Sequence, residues 1–170
     1  MLRNLKSRGK TFFFTSFIVI VAAMLSLYYI NSAKKADFEK AQNERVIALT
    51  EKGKEHFSER NFKDALQSFH NAALIKPSDE IYFNIGLTYY HLNRPDEAAS
   101  ALRNSIELNP NASAYNILGT IQFEKGNYKK ALSLYDKALE IDPKHNGALN
   151  NKGFTYYTSG DYEEAERTYL

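Results

Sequence analysis

Two kinds of side chain recur in this chain at intervals near 33 residues, and both suit recognition rather than bond making. Asparagines stand at Asn84, Asn116, Asn150 and Asn151. An amide both donates and accepts, so a row of them can pair with the backbone of an extended peptide. Such a row is hard to explain as packing, because a buried Asn needs partners. Aromatic residues stand at Phe57, Tyr90, Phe123 and Tyr157. Rings give apolar contact at low entropic cost. They also fill space between helices, and both roles stay open for these four.

The groups that drive catalysis are not assembled. His56, His70, His91 and His145 are scattered, and none pairs with another at metal-ligand spacing. No phosphate-cradling glycine loop and no nucleophile-elbow serine occurs. Glu140 and Asp142 flank a helix end before Pro143 and read as solvated charge. The sequon Asn111-Ala112-Ser113 reads as a chance match. From residue 46 on there are 14 Lys or Arg against 17 Asp or Glu, a net of −3, which is no footprint for nucleic acid. The whole-chain balance of +2 comes from the amino-terminal segment. The expectation is a chain with no catalytic centre, no metal and no cofactor.

What must position the recurring side chains is a repeat. Glycine returns at Gly53, Gly86, Gly119 and Gly153, alanine at Ala65, Ala98, Ala131 and Ala165, and proline at Pro77, Pro110 and Pro143. A period of this length signals a solenoid of stacked helix pairs. The units run over residues 46–78, 79–111, 112–145 and 146–170, the last cut short. Each opens with an apolar stripe at helical spacing, such as Tyr82, Ile85 and Tyr89. A second stripe follows a short break, such as Ala131, Tyr135 and Ala138. Asn61, Asn127 and Asp161 precede the second helices and are placed to cap them. Asp161 with Glu164 suggests a capping box. Arg94 holds the equivalent place, with Pro95 as the first helical residue. Gly126 and Gly160 can end the first helices with positive φ. The periodic Gly and Ala let paired helices approach closely.

These units resemble the tetratricopeptide repeat, whose pattern sets a bulky residue, Leu-Gly, Tyr, Ala, Phe and Pro at fixed offsets. Tyr82, Ile85, Gly86, Tyr89, Ala98 and Pro110 follow it, as do Tyr115, Leu118, Gly119, Ala131, Tyr135, Ala138 and Pro143. The first unit departs at Leu49, Lys52 and His56 but matches at Ala65, Phe69, Ala72 and Pro77. The resemblance covers about three quarters of the chain. It implies an all-α, right-handed solenoid of antiparallel helix pairs whose first helices line a concave groove. The groove positions it implies are Lys54 and Phe57; Phe83, Asn84, Leu87 and Tyr90; Asn116, Thr120 and Phe123; and Asn150, Asn151, Phe154 and Tyr157. One version of the family grips a carboxy-terminal carboxylate with Lys, Asn and Arg. Of the five positions concerned only Asn84 matches, with Thr50, Lys54, Ser113 and Ile117 at the others. A chaperone-tail clamp of that kind is not expected.

The start of the chain is different in kind. Residues 1–10 form a basic tail carrying Arg3, Lys6, Arg8 and Lys10. Residues 11–30 hold no charge, and twenty residues of helix rise about 30 Å, enough to cross a bilayer's hydrocarbon core. The expectation is a transmembrane helix with the basic side left in the cytoplasm and the repeats outside it. A cleaved signal competes, because Val21-Ala22-Ala23 resembles a cleavage site, but the apolar run continues through Met24 to Ile30. Absence of Cys excludes a lipoprotein anchor and a disulfide framework. Residues 31–45 read as a polar helical linker.

The expected function is a single-pass membrane scaffold that holds a partner protein or peptide in its groove. The anchor and topology resemble bacterial envelope proteins that help to assemble larger complexes. The alternatives are a cytosol-facing organelle import receptor and an accessory region of a larger enzyme. The apolar side of Ala165 and Tyr169 meets no following helix, so self-association through that end, or a longer protein, is also expected.

Overall fold

The computed structural model describes the backbone of residues 2–169 and the side chains of residue 21 and residues 23–168. All of its regular structure is helical: α1 Leu2–Ser58, α2 Phe62–Ile75, α3 Asp79–His91, α4 Pro95–Leu108, α5 Ala112–Glu124, α6 Tyr128–Ile141, α7 Asn146–Ser159 and α8 Tyr162–Tyr169. Two compact units are present, Met1–Glu44 and Arg45–Leu170.

In Met1–Glu44 the described side chains are almost all exposed, including Met24, Leu25, Leu27, Tyr28, Tyr29 and Ile30. The expected membrane span, residues 11–30, has most of its side chains outside the described residues. Among the described residues, no helix is long and apolar enough to cross a membrane.

Arg45–Leu170 is an all-α stack, the solenoid that the repeated pattern implies. Its helices pair because glycine leaves room for a ring or a branched side chain. A Cβ on Gly53 would stand 2.5 Å from the Phe69 ring, one on Gly86 2.6 Å from Leu102 Cγ, and one on Gly119 2.4 Å from Tyr135 Cε1. Real Cβ atoms do not approach so closely, so these seams exist only with glycine. Ala65, Ala98 and Ala131 are 0% exposed beside them. Apolar clusters then join successive pairs: Phe69 and Ala72 of α2 meet Ile81 and Ile85 of α3, and Leu102 of α4 meets Ala114 and Leu118 of α5.

The turn inside each pair has one left-handed residue at an equivalent place. It is Arg60 (φ 63), Asn93 (φ 57), Gly126 (φ 75) and Gly160 (φ 88). The two glycines behave as their sequence position suggests, while the first two turns hold a side chain in a region that disfavours it.

Three of the four turn residues do not cap as the sequence suggests. Asn61, Asn127 and Arg94 make no side-chain cap bond. Asn61 donates to Glu59, Asn127 to Gln122, and Arg94 to Glu97. Glu164 accepts from Arg167 at 2.6 Å. The side-chain caps stand instead before the first helices. Ser78 accepts from the Ile81 amide, Asn111 from Ala114, and His145 Nδ1 from Ala148. The physical reason is the tight turn: a ψ near 60° at Asn61 and Asn127 departs from the β-region backbone of a normal N-cap.

Candidate protein-binding face

The first helices of the stack are the last turns of α1, then α3, α5 and α7. In solenoids the concave side is the extended binding surface. The four recurring aromatic residues all lie near the ends of these helices, and three of them share one packing rule. Phe57 packs edge-on to Phe62 at 5.3 Å, Phe123 meets Tyr128 at 5.5 Å, and Tyr157 meets Tyr162 at 5.3 Å. Each partner is the first residue of the following helix. In the second unit that place holds Pro95, and Tyr90 turns elsewhere: its hydroxyl donates to Glu124 at 2.6 Å. Burial, then that hydrogen bond, push the Tyr90 phenol up to about 12. Neighbouring units are also joined by Phe57 against His91 at 5.2 Å and Phe123 against Phe154 at 5.5 Å. These rings therefore pack, yet Phe154 and Tyr157 remain 55% and 61% exposed.

Lys54 is committed within the stack. Its ammonium lies 2.8 Å from Glu80 and 2.9 Å from Glu51. The Glu80 and Glu51 hydrogen bonds hold its pKa above the usual lysine value. Phe83 and Leu87 are half-buried, and Phe83 packs on the cluster around Leu102 and Leu118.

The asparagines divide into two groups. Asn151 Nδ2 donates to Asn116 Oδ1 at 2.9 Å and to Thr120 Oγ1 at 3.2 Å. Thr120 donates in turn to the Asn116 carbonyl at 3.1 Å. Asn150, next to this cluster in sequence, is exposed. Asn84 differs: its Nδ2 is buried and has no hydrogen-bond partner. The repeat explains why. Asn84 is the counterpart of Asn151, and the residues matching Asn116 and Thr120 in the preceding unit are Thr50 and Lys54. Thr50, which donates its hydroxyl to the Val46 carbonyl, puts a shorter side chain where Asn116 stands, and Lys54 offers only donors. An amide built into this place lacks the acceptors that its counterpart finds.

Sequence reasoning missed the two carboxylates that hold this face together, Glu80 and Glu124. Glu124 lies 34 residues after Tyr90, a repeat-length spacing that could have revealed it, whereas Glu80 lies 26 residues after Lys54 and off the period. Among the described residues no group of three or more His, Asp or Glu could hold a metal ion.

Models of the tetratricopeptide repeat match residues 50–103, 83–146 and 134–167. This chain belongs to the tetratricopeptide repeat family. Among relatives, BBSome complex member BBS4 of Bos taurus is 35% identical over 104 residues, 61% of this chain and 20% of that protein. Hsp70-Hsp90 organizing protein 3 of Arabidopsis thaliana is 34% identical over 132 residues, 74% of this chain and 24% of that protein. The chain thus spans about a fifth to a quarter of the length of these tetratricopeptide relatives. The crystal structure of MamA superposes with a TM-score of 0.69 at 27% identity, covering 78% of this chain and 79% of that one. The first TPR of Spaghetti (RPAP3), bound to an HSP90 peptide, gives 0.65 at 21% identity, covering 69% and 94%, a likeness of fold. Tetratricopeptide stacks of this kind are protein-binding scaffolds.

Proposed function

We propose that this chain is a membrane-anchored scaffold that holds an extended, largely uncharged segment of a partner protein along α3, α5 and α7. The carrying observation is the Asn84 amide, a buried donor with no acceptor on the candidate face. An unmade bond of this kind costs about 1–3 kcal/mol, and a partner's backbone carbonyl recovers it. Asn116, Asn150, Asn151 and Thr120 supply further amide and hydroxyl groups, and Phe123, Phe154 and Tyr157 the apolar contact. Lys54, Phe57, Phe83, Leu87 and Tyr90 complete the face. A carboxylate-ended chaperone tail suits it poorly, because Lys54 is already neutralised by Glu51 and Glu80.

The anchor is residues 11–30, with the amino terminus cytoplasmic and the repeats beyond the membrane. It is supported by the uncharged run, by the cations before it, and by the exposed apolar side chains of Met24 to Ile30. A role in assembling cell-envelope complexes follows from that placement. The test is a photo-crosslinking residue placed at Asn150 or at Glu166 in the full chain in its native cells. Adducts with a partner protein are expected from position 150, and from position 166 none other than with a second copy of this chain. Equal yields of partner adducts from the two would remove the groove from consideration.

A further inference from the structure

A second site lies away from these groove positions, between α4, α5 and α6. It is a cleft of about 650 Å³. Its floor is apolar: Ile106, Leu118, Leu134 and Tyr115. Ile106 and Leu134 pack on the buried cluster that contains Leu118, so the floor is continuous with the core. Its rim is cationic, with Arg103 from α4 and Lys129, Lys130 and Lys137 from α6. Glu107 is the lone carboxylate among the lining residues.

Two observations set this rim apart. The unit is acidic as a whole, with 14 Lys or Arg against 17 Asp or Glu from residue 46 on, yet four of those cations gather here. Moreover, among the described residues none of the four is in an ion pair; Lys52, Arg60, Lys63 and Lys144 share that, but they do not line the cleft. Lys137 instead lies over the Tyr115 ring at 5.7 Å. Like charges set around an apolar floor repel one another, a cost that an anionic occupant reverses. Helix-forming lysines on a solvated face need no cleft beside them, and here the cleft exists.

We infer that this cleft binds an acidic peptide segment that carries an apolar side chain, the carboxylates meeting Arg103, Lys129, Lys130 and Lys137 and the apolar group seated on Ile106, Leu118 and Leu134. A peptide suits it better than nucleic acid. The one aromatic ring in the lining, Tyr115, has a lysine over it, so no free stacking platform is offered for a base. The inference does not depend on the groove along α3, α5 and α7, because it uses none of those side chains.

The test uses the full chain and a short fluorescein-labelled peptide of Glu and Asp around a central Phe, read by fluorescence anisotropy. Binding is expected that weakens with salt. Lys129→Glu with Lys130→Glu should weaken it about tenfold or more, as reversal of rim charge does. Both residues are exposed, so the helical circular dichroism and unfolding midpoint should stay unchanged. Lys144→Glu, an exposed cation before α7 and outside the cleft, should bind the probe as wild type does. Changing the peptide's Phe to Ser should also weaken binding. No binding, equal binding by the double variant, equal loss in Lys144→Glu, indifference to the Phe, or tighter binding of a single-stranded oligonucleotide would each overturn the proposal.

Discussion

The Tyr90 hydroxyl donates to Glu124 Oε1 across 2.6 Å and so ties the end of α3 to the end of α5. Burial and then this bond raise the phenol from 10.0 to about 12. The folded chain therefore keeps a proton that the unfolded chain has already released. The contribution is complete below pH 10 and is lost as pH climbs through about 12. Tyr90→Phe should lower stability by about 1 kcal/mol at neutral pH. The gap from wild type should close over that alkaline range. Urea unfolding at each pH measures it, and a gap that stays constant would detach Tyr90 from the effect.

Gly119 should not accept a side chain. Alanine there would gain about 1 kcal/mol of helix propensity, but its Cβ would meet the Tyr135 ring at 2.4 Å. Overpacking of this kind costs about 1–3 kcal/mol, and more is expected for Gly119→Leu. Tyr135→Ala leaves a cavity, so it also destabilises. Combined with Gly119→Ala it should cost less than the sum of the two. Strict additivity in denaturant melts would mean that the two residues do not share the seam.

Asn84 and Asn151 should part company when each is changed to alanine. Asn151→Ala removes two hydrogen bonds and should destabilise the fold by about 1 kcal/mol or more. Asn84→Ala removes a donor that makes none, so stability should hold or rise. Partner binding should nevertheless weaken by about 1 kcal/mol or more in Asn84→Ala. Calorimetry with a partner recovered by crosslinking decides; unchanged affinity in a variant lacking Asn84, Asn116 and Asn151 together would end the groove proposal.

The orientation across a membrane has its own test. A reporter active only outside the cytoplasm, fused after Arg45, should be active. The full chain should resist extraction by an alkaline wash. Activity confined to a cytoplasmic reporter would reverse the topology, and release by the wash would point to a cleaved signal.

The last pair is expected to be the weakest. Tyr162 is 63% exposed, and so are its neighbours Phe154 and Tyr157 in large part. Amides of α8 should exchange hydrogen fastest among α2 to α8, and light scattering should show association that grows with concentration. A monomer at all concentrations with α8 as protected as α5 would oppose self-association.

The stack was legible because its cause is periodic. Gly53, Gly86 and Gly119 face Phe69, Leu102 and Tyr135 at one offset, and a repeated offset is visible in a bare sequence. The caps were not. Asn61 and Asn127 look like caps by residue type, but their backbone angles point the amides elsewhere, a fact of ψ rather than of composition. His145 caps through a ring nitrogen, which residue type alone seldom announces. On the candidate face, the aromatic recurrence and its possible use in packing were visible, but the ring partners Phe62, Tyr128 and Tyr162 were not. The pairing of Asn116 with Asn151 joins residues that are 35 apart, and only folding brings them together. The cationic cleft was hidden for the same reason, since Arg103 and Lys129 lie on different helices.

The seams inside the first three pairs are glycine against a ring or a branched chain, with no slack. The joints between pairs add longer arms: Lys54 to Glu80, Tyr90 to Glu124, and Lys125 to Asp96 at 2.6 Å. A stack built this way flexes like a leaf spring, each leaf stiff and each clip yielding. Part of its compliance is then ionic, because those arms add to the apolar clusters and ring contacts that also join the pairs. A ligand that captures Glu80 or Glu124 would loosen a clip, and so change the gauge of the whole row without touching its core.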